Sequence, residues 1–230
     1  MVKVKICGIT NWADAKAAVE GGANLLGFNF YRKSPRYIAP AAAARIIRRL
    51  PAKVQAVGVF VNEPEVSILA TARRAGLHVL QLHGDESPAL VESLSAEFPV
   101  IKALRVRGSL RASQLRRFGK AEALLLDGFD GKQYGGTGKS FDWRLVQRAG
   151  VKTKIFLAGG LTAENVREAI ATANPYAVDA CSGVEARPGK KDLRRMAAFL
   201  RAAKSRERPG VAGGMKRKRD PKKTKAGKRK

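Results

Sequence analysis

Cysteine and histidine are nearly absent from this 230-residue chain, which has two of each: Cys7, Cys181, His78 and His83. Two cysteines are too few for a secreted disulfide framework, and they lack the C-x-x-C spacing of zinc or redox sites. Neither histidine stands at metal-ligand spacing from the other or from a cysteine, so no metal is expected. A reducing cytoplasm is the natural compartment. No apolar run approaches the roughly 18 residues of a membrane span. The opening Met-Val-Lys-Val-Lys-Ile-Cys runs straight into a strand pattern and leaves no room for a signal or transit peptide. A cytoplasmic protein with no membrane partner is therefore expected.

Acidic residues are also scarce. Nineteen Asp/Glu face 45 Lys/Arg, for a net charge of +26. Residues 205–230 carry twelve basic side chains against Glu207 and Asp220, a net of +10, which leaves +16 on the first 204 residues. Val211 and Met215 are the only large apolar side chains in that segment. So little burial cannot offset ordering entropy, and 205–230 is expected as a disordered Lys/Arg-rich tail behind a folded 1–204 domain. Lys216-Arg217-Lys218-Arg219 with Lys222-Lys223 looks like a basic arm. It has no interleaved aromatics and no recognition fold, so weak polyanion binding is expected rather than specific nucleic-acid recognition.

The remainder is rich in what a packed core needs. Apolar residues make up 45% of the chain, and this length fits one large domain better than two small ones. Strand-length apolar runs alternate with stretches of helical period. The pairs are Val2–Ile6 with Asn11–Glu20, Leu25–Phe30 with Pro40–Leu50, and Val54–Val61 with a helix from Glu63-Pro64 to Gly76. His78–Leu82 pairs with Ser87–Glu97, Val100–Leu104 with Ser109–Phe118, and Ala123–Asp127 with Asp142–Ala149. Lys154–Ala158 pairs with Thr162–Ala171, capped near Thr162 and Glu164, and Tyr176–Ala180 with Asp192–Ala203. Eight βα units with short connections predict an α/β fold, a single (β/α)8 TIM barrel. An open doubly wound sheet is the structural rival, and it usually has fewer strands.

In such a barrel the chemistry sits at the C-terminal ends of the strands. Cys7-Gly8, the loop holding Ser34-Pro35-Arg36-Tyr37, Gln81-Leu82-His83-Gly84-Asp85, Asp127, Gly159-Gly160 and Asp179-Ala180-Cys181-Ser182-Gly183 all fall there. Strand alternation turns Val4 and Ile6 to the helices and Cys7 into the mouth, with Lys5 a layer below. Asp127 shares a face with Leu125, and Asp179 with Ala177. A thiol and a carboxyl facing each other can serve as base and acid, the thiol through its thiolate. On spacing alone, a buried structural cysteine and a helix-capping aspartate explain the two residues equally well. Glycine at Gly159, Gly160 and Gly183 admits an anion to backbone N–H groups, with Ser182 beside them, although tight turns need glycine too. Arg36 can grip a carboxylate with two prongs, or simply be solvated. Gly135-Gly136-Thr137-Gly138-Lys139-Ser140 lacks the first glycine of a nucleotide P-loop, because Gln133 stands there, and reads as a lid.

Lys5-Ile6-Cys7-Gly8-Ile9-Thr10, Gly27-Phe28-Asn29-Phe30-Tyr31, Lys33-Ser34-Pro35-Arg36-Tyr37 and Gln81-Leu82-His83-Gly84-Asp85-Glu86 resemble segments of the phosphoribosylanthranilate isomerases. So do Leu126-Asp127, Gly135-Gly136-Thr137-Gly138, Phe141-Asp142-Trp143, Leu157-Ala158-Gly159-Gly160-Leu161, Ser182-Gly183-Val184-Glu185 and Pro188-Gly189-Lys190-Lys191-Asp192. The resemblance implies an isomerase of tryptophan biosynthesis, working on a small phosphorylated substrate without metal or cofactor. It implies Cys7 as general base, Asp127 as general acid and Arg36 on the anthranilate carboxylate. Gly159, Gly160, Ser182 and Gly183 would hold the phosphate, and Asp179 the sugar hydroxyls. The histidine-pathway isomerase is the rival enzyme, but that family carries an aspartate where Cys7 stands here.

Overall fold

The first strand hydrogen-bonds both to the second and to the last, which closes the sheet on itself. The computed structural model describes residues 1–106, 109–128, 142–148 and 153–205. Its parallel strands are β1 (Lys3–Ile6), β2 (Leu25–Asn29), β3 (Gln55–Phe60), β4 (Val79–Leu82), β5 (Val100–Val106), β6 (Ala123–Gly128), β7 (Lys154–Leu157) and β8 (Ala177–Ala180), neighbours in that order around a closed barrel. The helices between and after them are α1 (Trp12–Glu20), α2 (Pro40–Ile47), α3 (Glu65–Ala75), α4 (Pro88–Ser95), α5 (Ala112–Arg116), α6 (Arg144–Arg148), α7 (Val166–Ala173) and α8 (Leu193–Lys204). This is the (β/α)8 barrel that the alternation of periods predicts.

Local chemistry starts and stops the helices. The Asn11 side chain accepts from Asp14 N ahead of α1, Ser87 does the same for Leu90 N ahead of α4, and Asp192 for Arg194 N and Arg195 N ahead of α8. Gly76 ends α3 in the left-handed region at φ 73°, where a side chain would be strained. Helices α2 and α5 are shorter than expected, ending at Ile47 and spanning Ala112–Arg116, and two further departures lie near the barrel mouth. Helix α7 begins at Val166 rather than near Thr162, because Asn165 Oδ1 accepts from Thr162 N and its Nδ2 donates to Gly160 O, holding the intervening residues as a turn. Between β8 and α8, a 3-10 turn (Ser182–Val184) leads into a small antiparallel hairpin, β9 (Glu185–Arg187) and β10 (Lys190–Lys191). The Gly135–Ser140 lid lies outside the described residues, and so does the expected tail apart from Ser205.

Apolar side chains form two concentric layers. Val4, Ile6, Leu80, Leu82, Leu124, Leu126 and Val178 point outward and pack beneath the helices. Leu25, Val57, Val79, Ile101, Leu125, Phe156 and Ala177 fill the barrel interior. Polar side chains appear on this inward face one or two steps nearer the C-terminal mouth: Lys5, Gln81, Asp127 and Asp179, all buried. The packed lower layers thus form a dry floor beneath a polar cup.

Candidate active site

A cavity of about 450 Å³ opens at the C-terminal end of the barrel. It is lined by Cys7, Arg36, Asp127, Gly159, Gly160, Asp179, Ser182 and Gly183, so every site residue expected from the sequence reaches one space. Cys7 follows β1, and its N–H donates to Ala180 O at 2.8 Å, which ties it to the end of β8. The adjoining register pairs Lys5 with Asp179, and their side chains meet with Nζ 2.9 Å from Oδ2. Asp127 is the penultimate residue of β6, on the inward face, where it is only 4% exposed.

Charge is concentrated around the thiol. The neighbouring Cys181 thiol and the Lys5 and Lys191 ammoniums hold the Cys7 thiol well below its usual range, against the burial that opposes ionisation. Cys181 moves the opposite way, pushed up by its contact with Cys7 and by burial. Both cysteines are free thiols. Lys191 comes from the hairpin, donating to Cys7 O at 2.5 Å, to Cys181 O at 3.3 Å and to Glu185 Oε1 at 3.0 Å. Burial pushes the Asp179 carboxyl up to about 6, with Lys5 opposing and Cys7 reinforcing the shift.

Arg36 is held in place before any ligand arrives. Ser34 Oγ accepts from Asn29 Nδ2 and from Arg36 N, which bends the loop after β2. The guanidinium then grips Glu185 through Nε and Nη2, which leaves Nη1 for a ligand among the described residues. Gly159 and Gly160 have φ of 85° and 64°. A Cβ on Gly159 would lie 2.3 Å from Gly128 N, and one on Gly183 would lie 2.2 Å from Leu161 O. These glycines therefore permit close backbone contact between adjacent turns, as well as access for an anion.

Three functional neighbours escape sequence reasoning. His83 Nε2 lies 3.4 Å from Asp127 Oδ2, and its Nδ1 is 2.9 Å from Gln81 Nε2. Gln81 sits on the inward face of β4 and His83 just past its end, two positions on, so strand parity carries the signal. Glu185 and Lys191 lie in the hairpin, whose short irregular strands give no periodic pattern. Gln81 Oε1, His83 Nε2 and Asp179 Oδ1 are buried without a hydrogen-bond partner among the described residues, and all three residues line the cavity. Orphaned buried polar atoms at a cavity wall mark a place for a polar ligand.

A closed barrel whose mouth presents a low-range thiol opposite a carboxyl defines a (β/α)8 enzyme equipped for acid–base chemistry. The comparisons with known proteins are specific. Residues 4–202 match the family of N-(5'phosphoribosyl)anthranilate (PRA) isomerase. The chain is 48% identical over 204 residues to N-(5'-phosphoribosyl)anthranilate isomerase of Pelobacter propionicus, covering 89% of this chain and 96% of that one. The crystal structure of the Thermotoga maritima enzyme is 44% identical, covers 89% of this chain and 99% of its own, and superposes with a TM-score of 0.81. Another crystal structure of phosphoribosyl anthranilate isomerase holds reduced 1-(o-carboxyphenylamino)-1-deoxyribulose 5-phosphate; it is 43% identical, covers 89% and 99% of the two chains, and has a TM-score of 0.77. The chain belongs to the phosphoribosylanthranilate isomerase family of tryptophan biosynthesis.

Among the described residues, no helix is long and apolar enough to cross a membrane. No cluster of three or more His, Cys, Asp or Glu among them is placed to hold a metal ion.

Proposed function

We propose that this chain opens the ribose ring of N-(5-phosphoribosyl)anthranilate and rearranges it to 1-(2-carboxyphenylamino)-1-deoxyribulose 5-phosphate, with Cys7 and Asp127 exchanging the protons. Asp127 donates a proton to the ring oxygen. The C1′–O bond breaks and the anilino nitrogen becomes an iminium. Cys7, as thiolate, removes the C2′ proton and its bonding electrons neutralise the iminium, leaving an enolamine. Tautomerisation then gives the C2′ ketone. Both transfers are general acid–base catalysis and need no cofactor.

The observation that carries this reading is the placement of the two groups in one cavity, Cys7 just after β1 and Asp127 on the inward face of β6, with lysine charge beside the thiol. Arg36 Nη1 would take the anthranilate carboxylate, and the Gly159-Gly160 and Ser182-Gly183 turns the phosphate. Asp179 Oδ1, without a partner among the described residues, would accept from a sugar hydroxyl. Binding a dianionic phosphate and a carboxylate suits the basic barrel, which can steer such substrates. The protein works in the cytoplasm as a single catalytic domain over 1–204. Residues 205–230 add weak polyanion attraction and no specific nucleic-acid recognition.

The test follows the fluorescence of phosphoribosylanthranilate generated in situ. Wild type should consume it rapidly, while Cys7→Ser and Asp127→Asn should fall to near background. A folded Cys7→Ser protein that keeps full turnover would exclude the thiolate as the base.

A further inference from the structure

We propose that Lys5, clamped by Asp179, is the resident counter-ion of the Cys7 thiolate and so positions the base for proton abstraction. This rests on Cys7 being the base, as assigned above. Lys5 lies on β1 and Cys7 one residue past its end, where its N–H still pairs with Ala180 O, so the two side chains, two positions apart, share the inward face. Lys5 is fully buried, at 0% exposure, and its ammonium bonds Asp179 Oδ2 at 2.9 Å. On the neighbouring strand, Gly27 leaves the gap in which the two groups approach each other. A Cβ there would stand 2.7 Å from Cys7 Sγ and 3.2 Å from Lys5 Nζ. No residue with a side chain fits that position without parting thiol from ammonium.

Charge balance supports the same assignment. Three cations crowd this corner: Lys5, Arg36 and Lys191. Two carboxylates face them, Asp179 on Lys5 and Glu185 on both Arg36 and Lys191. One positive charge is left over, and the cavity's remaining carboxylate, Asp127, faces His83 instead. A buried, unbalanced charge is costly, and a thiolate at Cys7 removes the imbalance. Cys181, the other ionisable group in contact, is the thiol that burial and Cys7 keep protonated. The ammonium has three donors, of which Asp179 takes one among the described residues. Burial alone would discharge Lys5, and Asp179 and Cys7 more than offset it, holding the ammonium charged well above the working pH. Lys191 adds its charge from farther off: its ammonium is spent on the Cys7 and Cys181 carbonyls and on Glu185, which leaves Lys5 as the cation that shares the sulfur's gap.

The experiment uses the full chain with Cys181→Ser, which leaves Cys7 as the sole thiol and keeps a hydroxyl donor beside it. The pH dependence of iodoacetamide alkylation reports the thiolate fraction. Lys5→Met should move its midpoint up by about one pH unit, a tenfold slowing at pH values below that midpoint, and Lys5→Arg should restore most of the shift. In the enzyme, Lys5→Met should lower kcat far more than it raises KM, and move the acid limb of the pH profile upward. A folded Lys5→Met protein that is alkylated with the parent midpoint would overturn the counter-ion role, even with Cys7 essential. Activity surviving in Cys7→Ser would instead overturn the base assignment beneath it. Should Lys5→Met not fold, the 15N-lysine-labelled parent supplies the answer. Capping Cys7 with iodoacetamide should shift the protected Lys5 ammonium resonance, and an unmoved resonance would refute the pairing.

Discussion

Arg36 and Glu185 meet in a two-pronged ion pair across the barrel mouth, with Nε 3.0 and 3.1 Å from the two carboxylate oxygens and Nη2 2.7 Å from Oε2. The pair fixes the plane of the guanidinium before substrate binds, so its geometry belongs to the protein rather than to the ligand. Glu185→Gln should therefore raise KM about tenfold through loss of a charge-assisted contact, while kcat changes less. Arg36→Lys should cost more, because an ammonium cannot hold Glu185 and a second carboxylate in one plane. Steady-state kinetics separates the two effects. An unchanged KM in both variants would remove Arg36 from substrate binding.

Asp179 ties stability to pH. Its carboxyl rises from an ordinary 3.8 to about 6, chiefly through burial. The folded state therefore binds this proton more tightly than the unfolded chain does. That contribution to stability is complete below pH 4 and is lost as pH rises through about 6. Urea unfolding of wild type and Asp179→Asn from pH 4 to 7 should show the wild type losing ground by on the order of 1 kcal/mol per pH unit within that window. A difference that stays constant across the window would show that Asp179 titrates normally.

Gly183 and Gly76 make a matched pair of probes. A Cβ at Gly183 would meet the Leu161 carbonyl at 2.2 Å, whereas one at Gly76 would meet only Ile47 Cγ2, at 3.9 Å. Gly183→Ala must push the turns after β7 and β8 apart, so it should raise KM for the phosphorylated substrate and cost about 1–3 kcal/mol of stability. Gly76→Ala should cost only about 1 kcal/mol of left-handed backbone strain and leave KM alone. Equal kinetic effects would mean the two turns are not where the phosphate sits.

His83 is expected to matter through Asp127. Its Nε2 lies 3.4 Å from Asp127 Oδ2. His83→Ala should lower kcat by about tenfold or more, with a smaller change in KM, as the acid loses its orienting neighbour. Doubling it with Asp127→Asn should cost little beyond Asp127→Asn alone. Additive losses would make His83 independent of the acid.

Residues 205–230 should be dispensable. A chain ending at residue 204 should turn over substrate like the full protein and bind heparin more weakly, since it loses a net charge of +10. A large loss of activity would place the segment in the catalytic unit.

Strand parity made Cys7, Asp127 and Asp179 legible before any coordinates, because alternation along β1, β6 and β8 assigns each side chain to one face. The same rule covered His83, which went unassigned because a histidine without metal spacing has no local signature. Helix ends were readable where Asn11, Ser87 and Asp192 cap them. They failed at α7, where the Asn165 side chain competes with the helix for backbone groups. The hairpin was invisible, since strands of three and two residues carry no periodicity.

The sequence by itself determined the alternation of strand and helix, the barrel that follows from it, and which side chains face inward. Those are consequences of local sterics and of period, readable within a few residues. Tertiary structure alone decided who meets whom. Lys5 and Asp179 stand 174 positions apart, Arg36 and Glu185 149, and Lys191 and the Cys7 carbonyl 184. Only closure of β8 against β1 brings those charges together in a space dry enough for them to set the state of a single thiol.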